Sequence, residues 1–487
     1  MSDNTYDLSV IPIGTNMAFH RQVLDDIRGF TLVTTAAGHL VGKLSSPRVT
    51  RQKQAGQPDK NVSPIGICEI ELSQPLPDST VINAQSDQQY QYAQCLIRLH
   101  TRPLGMLELP LDMPEADTDV YAKLIWQALG EQINAHLRED GLPEVTTLAA
   151  CGLPVLQTPE CQQEHANFLQ TAPFASIVLS TRDRPDRLAR CLPTLLAQQY
   201  PAFEIIVVDN APSTSATADL IQQVYADEPR IHYVLEGYPG LSSARNRGIL
   251  EAQGEIIAFT DDDVVVDAHW LAGLAKGFSV TENVACVTSL VLPLALETPT
   301  QIWFEEFGGF NRGYVQRVFD RASRKNGTSL YPFTAGAFGT GAAMAFKANF
   351  LQEEMEFDIA LGAGSPASGG EDLAAFFHVI MSGNRLVYEP TSLAYHEHRR
   401  DYSSFQKQMY DYGAGLTAYL TKILVDHPLL LFRLIILIPA ALFYILSSRS
   451  AKNRQKSSQF PKELIRLERK GMLQGPFLYL KGRSQKK

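Results

Sequence analysis

Glu255-Ile256-Ile257-Ala258-Phe259-Thr260-Asp261-Asp262-Asp263 sets a short apolar run against three successive carboxylates. The run has the length and β-branched content of a buried strand. The triplet is therefore expected at its carboxyl end, where open α/β sheets bind ligands. Three adjacent carboxylates repel one another, and a divalent cation relieves that repulsion. Hard oxygen ligands suit Mg²⁺ or Mn²⁺ shared with a diphosphate. The other reading is an acidic turn capping the helix predicted after Asp267. The surrounding sequence decides between them.

Outward from the triplet, the pattern from Ala175 alternates strand and helix, which specifies a parallel sheet with crossover helices. Ser176 to Leu179 reads as the first strand. Leu188, Cys191, Leu192, Leu195 and Leu196 recur at helical spacing, with Pro193 predicting a kink or an early break. Glu204 to Val208 is the next strand and ends at Asp209. A helix over Ala218 to Tyr225, a strand over Ile231 to Val234 and a helix over Ser242 to Ala252 lead back to the triplet. Four strand ends, carrying Ser180-Thr181, Asp209, the Tyr238-Pro239-Gly240 loop and Asp261 to Asp263, would line one edge of the sheet. Further on, Gly369-Gly370-Glu371-Asp372 opens a helix whose apolar stripe is Leu373, Phe376, Phe377 and Ile380. His396-Glu397-His398 places two imidazoles at i and i+2.

Seven segments in this order, SIVLSTRDRPDRL, EIIVVDNAPS, GLSSARNRGI, GEIIAFTDDDV, FGTGAAMAFK, GGEDLAAFFHVI and YHEHR, resemble the family-two glycosyltransferases of the GT-A fold. The resemblance covers about Ala175 to Tyr419. It implies an α/β Rossmann-like, mostly parallel sheet that binds a nucleotide-sugar donor. By the same resemblance, Asp209 accepts from the nucleotide base, Ser180 and Thr181 contact base or ribose, and Arg245 faces the pyrophosphate. Asp261 and Asp263 would ligate Mn²⁺ or Mg²⁺, with Asp261 and Asp262 also touching nucleotide. His396 or His398 would complete the coordination. Asp372 is the implied general base, with Glu371 the next candidate. Gly336, Gly339 and Gly341 around Thr340 would let backbone approach donor sugar or acceptor closely. One base opposite the leaving group implies direct inverting displacement, of hexosyltransferase type.

Each residue also has a plain structural reading. Asp209 can start the Asn210-Ala211-Pro212 turn, Arg245 can be a solvated helix residue, and carboxylates at a helix start are favoured by its dipole anyway. Both histidines can be packed strand-end residues. Trp303, Phe304, Phe307, Phe310 and Tyr314 can be an acceptor platform or an ordinary aromatic core.

At 487 residues with 45% apolar and 20% charged residues, the chain is globular in composition and calls for two or three domains. Residues 1–167 read as a small mixed α/β accessory domain. Its strands are expected over Phe30 to Thr35, Gly66 to Leu72 and Gln94 to His100, with a polar loop near Thr50 to Ser63 and a helix from Val120 to Arg138. Residues 168–425 are the catalytic domain and 426–487 an apolar segment with a basic tail. Six cysteines without a CxxC pair favour reduced thiols. The beginning of the sequence shows no secretory signal, which places catalysis on the cytoplasmic side.

Net charge is −9, yet residues 449–487 hold twelve Lys/Arg against two Glu. The acidic body argues against nucleic acid, and the basic tail beside apolar Leu429 to Leu446 suggests an anionic membrane surface. That segment is marginal for a span of about 20 residues. A single crossing would also put the basic tail outside, against the positive-inside tendency. The expected localisation is therefore the cytoplasmic face of the cell membrane, monotopic or peripheral, with single-pass insertion as the alternative. Taken together, the sequence predicts a metal-dependent inverting glycosyltransferase acting on a glycan or lipid-linked acceptor in cell-surface polysaccharide synthesis. The competing readings are a non-catalytic nucleotide-sugar-binding protein and a sugar nucleotidyltransferase. Against the last, Thr181-Arg182-Asp183-Arg184-Pro185 lacks the glycines of a phosphate loop.

Overall fold

The computed structural model describes residues 63–79, 90–111, 118–154, 157–326 and 329–485. The strand expected over Phe30 to Thr35 and nearly all of the polar loop near Thr50 to Ser63 lie outside these residues. The described N-terminal part is a three-stranded sheet: β1 (Gly66–Glu71) pairs in parallel with β2 (Tyr92–Leu99), which pairs antiparallel with β3 (Arg102–Pro110). Helix α1 (Thr118–Glu139) covers it, burying Tyr121, Ile125, Leu129 and Ile133 at 3.6-residue spacing. Helix α2 (Glu160–Gln170) leads into the larger body.

Cys68 and Cys95 are joined as a disulfide across β1 and β2. This corrects the expectation of reduced thiols, since strand register, not sequence spacing, brings them together. The small sheet docks on the larger one. Leu96 packs with Leu290, Leu292 and Tyr395, and buried Arg98 pairs with Glu69 at 2.6 Å and Asp267 at 2.9 Å.

The larger sheet begins with β4 (Ala175–Thr181), α3 (Pro185–Leu196), β5 (Phe203–Asn210), α4 (Ala216–Val224), β6 (Ile231–Glu236), α5 (Leu241–Glu251) and β7 (Ile256–Asp261). β4 and β5 are buried along their whole length, which is why their sequences are continuous apolar runs and not alternating ones. Pro193 does not break α3 before Leu196. It sits in the last turn and accepts the closing bond from Ala197 N–H at 3.1 Å.

The second half adds β8 (Val264–Val266), α6 (Trp270–Gly277), β9 (Val284–Pro293), α7 (Pro299–Phe307), β10 (Arg317–Phe319), β11 (Ala343–Lys347), α8 (Ala348–Glu353), α9 (Glu371–Met381) and β12 (Arg385–His396). Strand order is β10-β12-β9-β11-β7-β4-β5-β6, with β8 on β12. β4, β5, β6 and β7 are parallel, while β11 runs antiparallel between β7 and β9. The α/β, mostly parallel sheet with crossover helices is thus present, and its carboxyl edge carries the expected strand ends.

Three helices close the chain: α10 (Tyr402–Asp426), α11 (Leu430–Leu446) and α12 (Lys462–Gln485). α12 folds back on α10 at backbone contact. A Cβ at Gly413 would meet Glu468 O, and one at Gly471 would meet Tyr410 O. Basic residues of this region are partly engaged: Lys452 pairs with Glu468, and Lys456 lies over the Phe307 and Phe460 rings.

Candidate active site

Strand register sets the geometry. Thr181 stands beside Asp209, and Ser180 beside Asp261, so three neighbouring strands deliver their polar ends to one edge. Thr181 Oγ1 donates to Asp262 at 2.8 Å. At the far strand, Tyr233 OH donates to Asp209 Oδ2 at 3.0 Å, while Asp209 Oδ1 and Ser180 Oγ are buried without a hydrogen-bond partner among the described residues. Burial raises the Asp209 pKa, opposed by the Tyr233 hydroxyl. An orphaned buried acceptor is unfavourable by about 1–3 kcal/mol, and an incoming N–H would relieve it.

The three aspartates have different surroundings. Asp261, 26% exposed, faces Arg245 Nη2 at 3.3 Å. Burial lifts its pKa to about 6, against the pull of Arg245. Asp262 is buried on Thr181 and Arg184, and burial with the Asp263 charge raises it. Asp263 behaves oppositely: burial would raise it, but His396 Nε2 at 3.3 Å, Arg399 and Arg187 hold it well below the carboxylate range. Asp263 and His396 are therefore brought together as the sequence predicts. Asp261 turns to Arg245, and among the described residues Asp261, Asp263 and His396 do not form a tight ligand triad. A carboxylate and an imidazole side by side nonetheless fit a Mn²⁺-type ion whose other ligands come from phosphate oxygens. His398 lies behind, its Nδ1 3.2 Å from His396 Nδ1, its Nε2 facing the accepting Glu305 carboxylate at 2.8 Å and its ring packed on Phe304.

Arg245, expected on the pyrophosphate side, is held among acceptors of the protein itself. Its guanidinium is buried and its donors reach Glu371 at 3.0 Å, Asp261 at 3.3 Å and Gly341 O at 2.9 Å. It thus ties the end of β7 to the start of α9. Gly341 permits this close approach, because a Cβ there would lie 2.9 Å from Asp372 Cβ and 3.2 Å from both Arg245 Nη atoms. Gly341 N–H donates to Asp372 Oδ2 at 2.9 Å. Gly370, the N-cap of α9, has φ 88°, and a Cβ there would strike Gly415 O of α10. Helix α10 thereby fixes the start of α9.

The two acidic candidates on α9 separate by environment. Glu371 is buried, and burial with the Asp372 charge, opposed by Arg245, pushes its pKa up to about 7. Asp372 is half-buried and bonded to Gly341, which leaves it the more accessible carboxylate. Thr340 is buried, and Gly339, expected to admit donor sugar or acceptor, instead lies where a Cβ would strike the Thr288 side chain. Of the proposed aromatic platform, Phe304 is a core residue with Phe405, Met409 and Phe460, while Trp303, Phe307 and Phe310 pack around that core.

Sequence reasoning missed one group. Arg184 and Arg187, at the start of α3, reach Asp262 at 3.0 Å and Asp263 at 2.8 Å, and Arg190 joins Arg187 on Glu397. Their i, i+3, i+6 spacing just after a strand end was the available signal. Arg184 is 44% exposed, so a multivalent anion could draw it from the carboxylate.

Residues 176–339 match the profile of glycosyl transferase family 2. Similar proteins include the putative teichuronic acid biosynthesis glycosyltransferase TuaG of Bacillus subtilis, 36% identical over 92 residues, which cover 19% of this chain and 36% of that protein. Glycosyltransferase GlyA of Streptococcus pneumoniae is 24% identical over 219 residues, 45% of this chain and 30% of its own. The chain thus spans only about a third of the length of these relatives. Among solved structures, a mannosyltransferase from Pyrobaculum calidifontis in complex with GDP-Man and Mn²⁺ superposes over 64% of this chain and 74% of its own, at 16% identity and a TM-score of 0.39.

Proposed function

We propose that this chain, whose residues 176–339 form a family-two glycosyltransferase domain, moves a sugar from a nucleotide-sugar donor to a hydroxyl of a glycan or lipid-linked acceptor, with inversion. The observation that carries this reading is the single constellation spanning two strand ends and a helix start. Arg245 joins Asp261 to Glu371, and Gly341, held by the same guanidinium, positions Asp372.

In this reading the base N–H satisfies Asp209 Oδ1, and Ser180 with Thr181 lines the nucleoside. Asp263 and His396 would hold a divalent cation, Mn²⁺ or Mg²⁺, which when bound supplies Lewis-acid stabilisation to the departing diphosphate. Arg184 and Arg187, at the same edge, supply further positive charge to it. Asp372 takes the proton of the acceptor hydroxyl as that oxygen attacks the anomeric carbon from the face opposite the diphosphate. The acceptor oxygen gains a bond to carbon as the carbon–diphosphate bond breaks, so no covalent enzyme intermediate is needed. Glu371, with its pKa pushed up to about 7, serves with Arg245 to orient α9.

Helix α11 supports placement at a membrane surface, which in this reading is the cytoplasmic face. No described helix is long and apolar enough to cross one. Leu430, Leu434 and Leu437 of α11 pack on the body, while Phe432, Ile436 and Phe443 are 68%, 76% and 58% exposed. A helix with one apolar face on protein and another open matches interfacial, monotopic attachment to an anionic surface.

The transfer reading is tested by incubating the protein with nucleotide sugars and following release of nucleoside diphosphate. Mn²⁺-stimulated release that is lost in Asp372→Asn supports it. Tight donor binding without release would instead identify a non-catalytic sugar-nucleotide binder.

A further inference from the structure

The N-terminal domain gathers two imidazoles, a carboxylate and a thiol in its interior. His100, His136, Asp140 and Cys161 are all nearly or fully buried. His100 Nδ1 lies 3.0 Å from Asp140 Oδ2, and His136 Nε2 lies 2.9 Å from His100 Nδ1 and 3.5 Å from the same carboxylate oxygen. Cys161 Sγ reaches that oxygen at 3.0 Å. The donor atoms of His100, His136 and Asp140 all lie within 4.8 Å of one another, the one such trio among the described residues. Three separate elements supply the four groups. His136 and Asp140 stand one turn apart at the end of α1, on the same face. Cys161 is at the start of α2, and His100 is in the β2–β3 turn.

That turn carries a second observation. His100 and its neighbour Thr101 both have positive φ, 55° and 68°, in a position where Asn-Gly is the usual choice. A residue other than glycine is held there against its backbone preference. The turn is kept by Glu71, which accepts from the N–H groups of His100 and Thr101 at 2.8 Å each. The backbone is thus held in an uncommon conformation that directs the imidazole into the cluster.

We infer that His100, His136, Asp140 and Cys161 form a structural Zn²⁺ site that pins the β2–β3 turn and α1 to α2, the helix entering the catalytic domain. Tetrahedral zinc with bonds of about 2.0–2.3 Å separates its ligand atoms by roughly 3.3–3.8 Å. Shifts of about half an ångström or less would bring the four contacts given above to that spacing, and Cys161, which meets the trio at Asp140, would have to turn its Sγ further towards the two imidazoles. Charge also balances. One thiolate and one carboxylate neutralise Zn²⁺, so the filled site adds no net charge to a dry interior. On binding, the Cys161 thiol loses its proton to solvent, and each neutral imidazole offers the nitrogen that faces the cluster while its proton stays on the other. Four protein ligands leave no open position, so the site would be structural and not hydrolytic.

The test uses the full chain, stripped with chelator and reloaded. Zinc should return to one per chain and raise the melting temperature, and Co²⁺ in its place should give a thiolate-to-metal absorption band. Cys161→Ser should lose that band, and His100→Ala should bind Zn²⁺ at least about 100-fold more weakly. Asp263→Asn should keep the zinc, which separates this site from the sheet edge. Stripped wild-type protein that takes up no zinc overturns the inference. So does zinc held undiminished by both Cys161→Ser and His100→Ala.

Discussion

Arg245 Nη1 lies 3.0 Å from Glu371 Oε1, both side chains buried, and this pair joins the acidic end of β7 to the first turn of the helix carrying Asp372. The pair sits among several charges, with Asp261 on the other guanidinium nitrogen. Removing one partner from a buried pair is far less favourable than never having had it.

Arg245→Met should therefore destabilise the protein by about 3 kcal/mol and displace Asp372. Arg245→Lys keeps the charge but cannot reach Glu371, Asp261 and Gly341 O together, so it should restore stability more than turnover. Denaturant midpoints and turnover measured on both variants check this. Equal, near wild-type turnover in both would show that the bridge has no part in positioning.

Asp372→Asn should leave donor affinity within a few-fold of wild type and lower turnover by about 10²-fold or more, the usual consequence of losing a general base. Single-turnover kinetics with saturating donor separates the two effects. Should Glu371→Gln alone show the turnover loss, the base moves by one residue.

The sheet was legible because β4, β5 and β7 are buried on both faces and so carry continuous apolar runs, Ile177–Leu179, Ile205–Val208 and Ile256–Phe259. Each ends in a polar residue that cannot continue such a run. Asp263, His396 and Asp372 were legible for a related reason, as polar groups at the ends of apolar elements. The partners of Arg245 were not legible, because three acceptors from distant segments, Glu371, Asp261 and Gly341 O, decide its direction and a helix pattern cannot show them. Contacts that depend on register or long-range closure were equally hidden: the Cys68–Cys95 disulfide, the Arg184 and Arg187 contacts, and the packing of α12 on α10 through Gly413 and Gly471. The tail's charges suggested a solvated or membrane-bound segment, while its glycines mark a helix seated on another helix.

Acid sensitivity should arise where α2 meets α6. His165 and His269 pack edge to face, 5.3 Å between ring centroids. Burial, with His269 and Lys276 nearby, holds the His165 pKa down to about 4 from its usual 6.5. The fold accepts its neutral form, so the unfolded chain takes up the proton first as pH falls. His165 thus contributes stability that is intact above about pH 6.5 and declines towards pH 4. In His165→Phe, the urea midpoint should fall less steeply across that window; an unchanged slope would contradict the assignment.

Membrane attachment should depend on the open face of α11. Replacing Phe432, Ile436 and Phe443 with Asn should release the protein from anionic vesicles, since each buried apolar side chain contributes about 1.5–3 kcal/mol. Reversing the exposed Arg449, Arg469 and Lys470 should weaken binding by up to about 1 kcal/mol each, with added salt acting likewise. Substitution is the cleaner test, because deleting the tail would also uncover α10. Co-sedimentation that is unaffected by the α11 changes would assign that face to a protein partner.

The central claim is that the edge formed by Asp209, Asp261, Asp263 and His396 binds a nucleoside diphosphate together with a divalent cation. Its most direct test is calorimetric titration of a panel of nucleoside diphosphates into wild-type protein and Asp263→Asn, each with and without Mn²⁺. At least one nucleotide is expected to bind wild type far more tightly with Mn²⁺, and that enhancement should vanish in Asp263→Asn. Nucleotide binding that ignores Mn²⁺, or an enhancement surviving intact in Asp263→Asn, would contradict the account.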